Sequence, residues 1–145
     1  MYPRKIDDSL WMLGNDYFHV YLIRGSLKCA LVETGVSATA DIVIQQLSAL
    51  NVRPDFIVVT HPHSDHLTGL DYLRRFLPGA VVVAGKGAEE FAAHPKAALS
   101  MIMEDRHVRD ELAVRGIKSR TDKMVSPPSL SGCRVACDEE ELDLG

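Results

Sequence analysis

Two rhythms of apolar residues run along this chain. Short runs rich in β-branched and aromatic residues, bounded by turn residues, predict strands over Ile6 to Leu13, Phe18 to Ile23, Lys28 to Glu33, Phe56 to Thr60 and Ala80 to Ala84. Gly14-Asn15-Asp16 supplies a hairpin turn between the first two. Between the later runs the spacing changes to three and four. Val43, Leu47 and Leu50 share one face of a helix over residues 38–50, with Ser37 or Thr39 as its cap. Leu67, Leu70, Leu73 and Phe76 or Leu77 mark a second helix, with Arg74 and Arg75 in its last turn and Pro78-Gly79 ending it. Strand–helix–strand steps in this order predict parallel pairing with right-handed crossovers. The expected class is therefore α/β, with a mixed sheet that is antiparallel at its start and parallel later.

Past Gly85 the pattern changes. Gly87 to His94 reads as a short helix that Pro95 interrupts. Residues 96–115 read as a longer helix, supported by Asp105–Arg109 and Glu111–Arg115 pairs four apart and ended by Gly116. Its first half is apolar (Leu99, Met101, Ile102, Met103) and its second half charged, as in a helix packed at one end and solvated at the other. Residues 119–132, with Ser126-Pro127-Pro128-Ser129 and Gly132, read as an irregular loop.

Composition narrows the class. A chain of 145 residues, 46% hydrophobic, can bury the core of one domain. Its net charge is −4, with no basic stretch interleaved with aromatics, so no nucleic-acid partner is expected. The amino terminus lacks the apolar region of a secretory signal, and no apolar run approaches a membrane span. A cytoplasmic location without a membrane partner is the expectation. Cys29 reads as a small buried hydrophobe in mid-strand. Cys133 and Cys137 could share a metal or redox site, but no second pair or nearby histidine accompanies them, which favours unpaired thiols.

The chemistry is concentrated in Thr60-His61-Pro62-His63-Ser64-Asp65-His66-Leu67-Thr68-Gly69. Three imidazoles and a carboxylate within six residues make a poor core and a good cation site. His nitrogen and carboxylate oxygen suit Zn, Fe or Mn, and the absence of cysteine argues against a purely structural zinc knot. At this composition the pattern should arise by chance about once in a thousand such chains. It follows a predicted buried strand and precedes a helix, at the carboxyl end of a strand, where open α/β sheets place their sites.

These residues resemble the metallo-β-lactamase-fold hydrolases, whose hallmark is a His-x-His-x-Asp-His loop after a strand. The resemblance implies that His61 and His63 ligate one ion, and that Asp65 and His66 ligate a second. Glu33-Thr34-Gly35 falls where the family has a short Asp-Thr-Gly turn; Glu33 keeps the charge of the usual Asp and adds a methylene. Thr60, Thr34 and Glu33 are then expected behind the ligands as hydrogen-bonding supports. His94 and His107 lie outside any motif and are expected not to be ligands. By the same resemblance residues 86–132 form a helical lid and loop over the metal cleft. The mechanism implied is hydrolysis, with Zn (one or two ions), or Fe or Mn, lowering the pKa of a bound water so that hydroxide attacks the substrate. Asp65 would be the catalytic carboxylate.

The later metal-binding motifs of that family do not occur in this sequence. Residues 139–145 resemble the strand region just before the family's third-histidine loop. The chain is thus expected to be the amino-terminal half of a four-layer αβ/βα sandwich, needing sequence beyond Gly145 for a complete site. Half a sandwich leaves its inner sheet face partly uncovered, which could recruit a second copy. The substrate expected is a small molecule, an ester or thioester, because the acidic chain lacks basic recognition elements. Two alternatives stand beside it: a non-catalytic metal-binding or self-associating module, and a di-iron redox protein of the same fold.

Overall fold

The computed structural model describes residues 1–145. Seven strands form one sheet: β1 (Arg4–Lys5), β2 (Leu10–Gly14), β3 (His19–Arg24), β4 (Cys29–Val32), β5 (Phe56–Val59), β6 (Val81–Gly85) and β7 (Arg134–Ala136). Their order in space is their order in sequence. Pairing is antiparallel from β1 to β4 and parallel from β4 to β7, the mixed sheet that the sequence predicts.

Side chains alternate across a pleated sheet. One face carries Leu13, Val20, Leu22, Leu31, Ile57, Val59, Val82 and Ala84, all buried. Helices α1 (Ala40–Ala49), α2 (Ser64–Leu67), α3 (Leu70–Phe76) and α4 (Ala88–Ala93) cover it through Val43, Leu47, Leu67, Leu70, Leu73, Ala88 and Ala92. Repeated right-handed crossovers in one direction put every connecting helix on the same face. Helix α5 (Pro95–Val114) lies over the turn before α1, where Leu112 packs on Val36 and Ala38.

The register lines up Met12, Tyr21, Val32, Val58 and Val83 on the opposite face, beside a row of Leu10, Ile23, Ala30, Phe56 and Val81. The carboxyl-terminal segment runs over its centre. Leu142 and Leu144 pack on the cluster of Ala30, Phe56 and Val83, and the Leu144 carbonyl accepts from Leu27 N and Lys28 N at 3.1 and 3.0 Å. Toward the margins Ile23 and Val81 stay 37% and 44% exposed. No helix is long and apolar enough to cross a membrane.

Several local expectations change. The strand expected from Ile6 starts only at Leu10, because Asp7 Oδ1 accepts from Ser9 N, Ser9 Oγ and Leu10 N and forms a turn there. The helix expected from Leu67 begins earlier, within the histidine segment, and is two pieces: α2, which carries Asp65 and His66, and α3, broken at Thr68-Gly69. A Cβ on Gly69 would lie 2.2 Å from the Thr34 carbonyl oxygen, so only glycine lets the chain pass there. Neither Ser37 nor Thr39 caps α1 through its side chain; Ser37 is committed to α5 and Thr39 Oγ1 donates to the Val36 carbonyl. The short helix α4 does stop before Pro95, which also starts α5, since its missing N–H is not needed at the first position. Strand β7 was not predicted, being too short for a period to register, and residues 139–145 add no strand.

Candidate metal centre

The site is built where β4 and β5 end side by side. Val32 pairs with Val58, so Glu33 and Thr60 leave the sheet as neighbours. Glu33 takes a left-handed backbone, with φ 71°, while its N–H donates to the Val58 carbonyl at 2.8 Å. That bend carries its side chain inward, where it is 7% exposed. The next residue ties this turn to the histidine loop: Thr34 N and Oγ1 both donate to the His66 carbonyl, at 3.1 and 2.9 Å.

Glu33, His61 and His66 form the tightest constellation, with one potential ligand atom from each lying within 4.8 Å of the others. The His61 and His66 ring centroids are 4.0 Å apart. Thr60 Oγ1 donates to Glu33 Oε1, and it lies 2.9 Å from His61 Nδ1. His66 Nδ1 is 3.2 Å from Glu33 Oε2, and His66 Nε2 is 3.4 Å from Asp65 Oδ2. His63 is exposed and stands outside the tight triad, its ring centroid 4.6 Å from that of His61. Asp65 is exposed as well.

Two atoms of this group, Glu33 Oε2 and His66 Nδ1, are buried without a hydrogen-bond partner. They approach closely but are not aligned to bond. Buried polar atoms are ordinarily satisfied, so this pair is suited to a bound cation. The donor set is nitrogen and oxygen, as Zn, Fe and Mn accept. The residues present therefore fit a divalent metal.

Beside the triad opens a cleft of about 340 Å³, lined by His61 and His63 on one side and by Lys86, Ala88 and Phe91 on the other. His94 and His107 do not belong to the triad or to this lining. Cys29 and Cys133 are half-buried and Cys137 is exposed, all three unbridged. Burial raises the thiol pKa of Cys29 and of Cys133.

The charged half of α5 is not simply solvated, contrary to the sequence reading. Asp105 is 0% exposed and accepts from Ser37 N at 2.9 Å, from Ser37 Oγ at 2.5 Å and from Thr68 Oγ1 at 2.6 Å. Arg109 Nη2 reaches Ser37 Oγ, Thr121 Oγ1 and the Asp122 carbonyl at 2.8–3.0 Å. Next to Asp105, Glu104 accepts from Ser64 Oγ and Ser100 Oγ, both at 2.7 Å, and these two hydrogen bonds hold its carboxyl below the usual range. The four-residue spacing of Asp105 and Arg109 predicts a pair along the helix; the partner they share, Ser37, lies 68 and 72 residues away.

Residues 14–139 match the metallo-beta-lactamase superfamily. Among curated proteins, a hydroxyacylglutathione hydrolase of Yersinia enterocolitica is 33% identical over 91 residues, covering 59% of this chain and 32% of its own length. A human mitochondrial persulfide dioxygenase is 30% identical over 110 residues, covering 76% of this chain and 38% of its own. Among solved structures, a metallo-beta-lactamase of Cronobacter sakazakii superposes with a TM-score of 0.71 at 21% identity, over 100% of this chain and 49% of that one. The chain thus spans about half the length of that structure and about a third of those two relatives.

Proposed function

This chain belongs to the metallo-beta-lactamase superfamily, and on that premise we propose that it carries the metal-binding half of a hydrolase acting on a small ester or thioester. The observation that carries the reading is the meeting of Glu33, His61 and His66 at the ends of β4 and β5, with two buried atoms lacking hydrogen-bond partners. His61, His63, Asp65 and His66 are the proposed ligands, with Glu33 close enough to join them. Zn is the favoured ion, with Fe or Mn as alternatives. Bound there, a divalent ion would supply Lewis acidity and a nucleophile from water near neutral pH.

The protein's own residues have separable tasks. Thr60 fixes the Glu33 carboxylate and the His61 ring, and Thr34 fixes the His66 backbone. Asp65, exposed with Oδ2 beside His66 Nε2, is the carboxylate proposed to orient the nucleophile and hold its proton. The adjacent cleft would receive the substrate, with Phe91 offering an apolar wall. A thioester is favoured over other electrophiles because the hydrolase relatives are named for hydroxyacyl-glutathione.

The dioxygenase relative favours a second reading, in which the same residues hold iron for an oxidation. Metal analysis and two assays separate them. Purified protein should bind Zn with His61→Ala and His66→Ala abolishing it, and a longer protein containing this chain should hydrolyse a hydroxyacyl-glutathione. Bound iron with oxygen consumption on a persulfide would instead establish the second reading. No metal binding at all would remove both.

A further inference from the structure

Helix α5 is joined to the histidine loop at two points that bracket Asp65 and His66. Ahead of them, Ser64 is buried and donates to Glu104. After them, Thr68 is buried at 1% exposure, and its hydroxyl lies 2.6 Å from Asp105 Oδ1 and 2.7 Å from the Ser64 carbonyl. Ser37 N is within reach of both Thr68 Oγ1 and Asp105 Oδ1, at 3.2 and 2.9 Å. One short helix, α2, is therefore held at both ends by consecutive carboxylates from a helix 40 residues away in sequence. Arg109 holds the other side of the same junction through Ser37.

We propose that Glu104 and Asp105 are positioning residues for the metal loop: they set the placement of Asp65 and His66, and through it the affinity of the site for a divalent cation. The physical reason is that α2 has only four residues and cannot hold its own shape. Short helices need tertiary support, and here it is polar and directional. Outer partners of metal ligands typically change affinity by about 10–100-fold when removed. Asp105 is buried, and its side-chain hydrogen bonds all go to Ser37 and Thr68, so it serves this junction and no solvent-facing role.

This proposal rests on the metal-binding reading above, and the test separates the two. The variants are Thr68→Val, which deletes the hydroxyl while keeping the side chain's shape, and Glu104→Gln on the exposed side of α5. Leu112→Ala, in the apolar contact of the same helix with Val36 and Ala38, is the control for loss of stability alone. Zn affinity is read by competition with a chromophoric chelator, and thermal midpoints are read on the metal-free proteins. The expected result is a drop of about 10-fold or more in affinity for the Thr68→Val, Glu104→Gln double variant. Leu112→Ala should lower the midpoint while keeping affinity within about two-fold of the parent, the difference that a merely structural helix would not produce. Parent-like affinity in the double variant, or an equal loss in the control, overturns the positioning role while leaving the metal reading intact. Failure of the parent protein to bind Zn while His61→Ala changes nothing overturns the metal reading, and the positioning role with it.

Discussion

Glu33 is the residue at which local preference and site geometry disagree most. Glutamate has no liking for a left-handed backbone, and such positions store about 1–3 kcal/mol when the surroundings enforce them. Here they are enforced by the Val58 carbonyl, by Thr60 and by the tie from Thr34 to His66. The extra methylene over aspartate places the carboxylate against His66. Glu33→Gln should therefore lower Zn affinity by about 10-fold or more. The metal-free protein should keep or raise its thermal midpoint, because a buried carboxylate oxygen without a hydrogen bond is replaced by a neutral group. Chelator competition and a thermal scan check the two halves. The meeting of His61 and His66 was legible because six consecutive residues carry the histidine pattern. The place of Glu33 within the triad was not, because it depends on a backbone angle and on a contact 33 residues away.

Among the elements, α5 departs most from what its sequence suggests. Its charges at 105 and 109 have helical spacing, and nothing in that spacing shows that they face inward. Only the fold brings Ser37 and Thr68 to meet them. Asp105→Ala should destabilise the protein by about 1–3 kcal/mol, the usual result of leaving buried hydrogen-bonding groups without a partner, read as a fall in the urea midpoint. Glu104 gives a pH signature. Its carboxyl is lowered by hydrogen bonds from Ser64 and Ser100, so its contribution is present above its unfolded value, near 4.5, and is lost as pH falls through its lower folded value. Glu104→Gln should flatten the acid limb of the stability profile slightly, since the side chain is exposed and screened; urea melts at pH 7 and pH 3.5 would show it. At the break between α2 and α3, Gly69→Ala should destabilise by about 1–3 kcal/mol through overpacking against Thr34.

For the whole molecule, the change from antiparallel to parallel pairing follows from the order of strands and helices along the chain, and it was readable in advance. The face opposite the helices was not, because what covers it is a tail with no period of its own. Leu142 and Leu144 occupy its centre and leave its margins open. Replacing both with serine should expose Ala30, Phe56 and Val83, with increased binding of a hydrophobic dye and concentration-dependent self-association in sedimentation velocity. Unchanged sedimentation and dye binding would mean that the tail contributes little to covering that face.

Strands that lie in space as they follow in sequence also pair in the order in which they are synthesised. Each new strand meets an edge that already exists, so the sheet can grow one edge at a time as the chain leaves the ribosome. The histidine loop then emerges between β5 and β6, some forty residues before Glu104 and Asp105. A nascent chain spends that interval with its imidazoles made and their brace still to come.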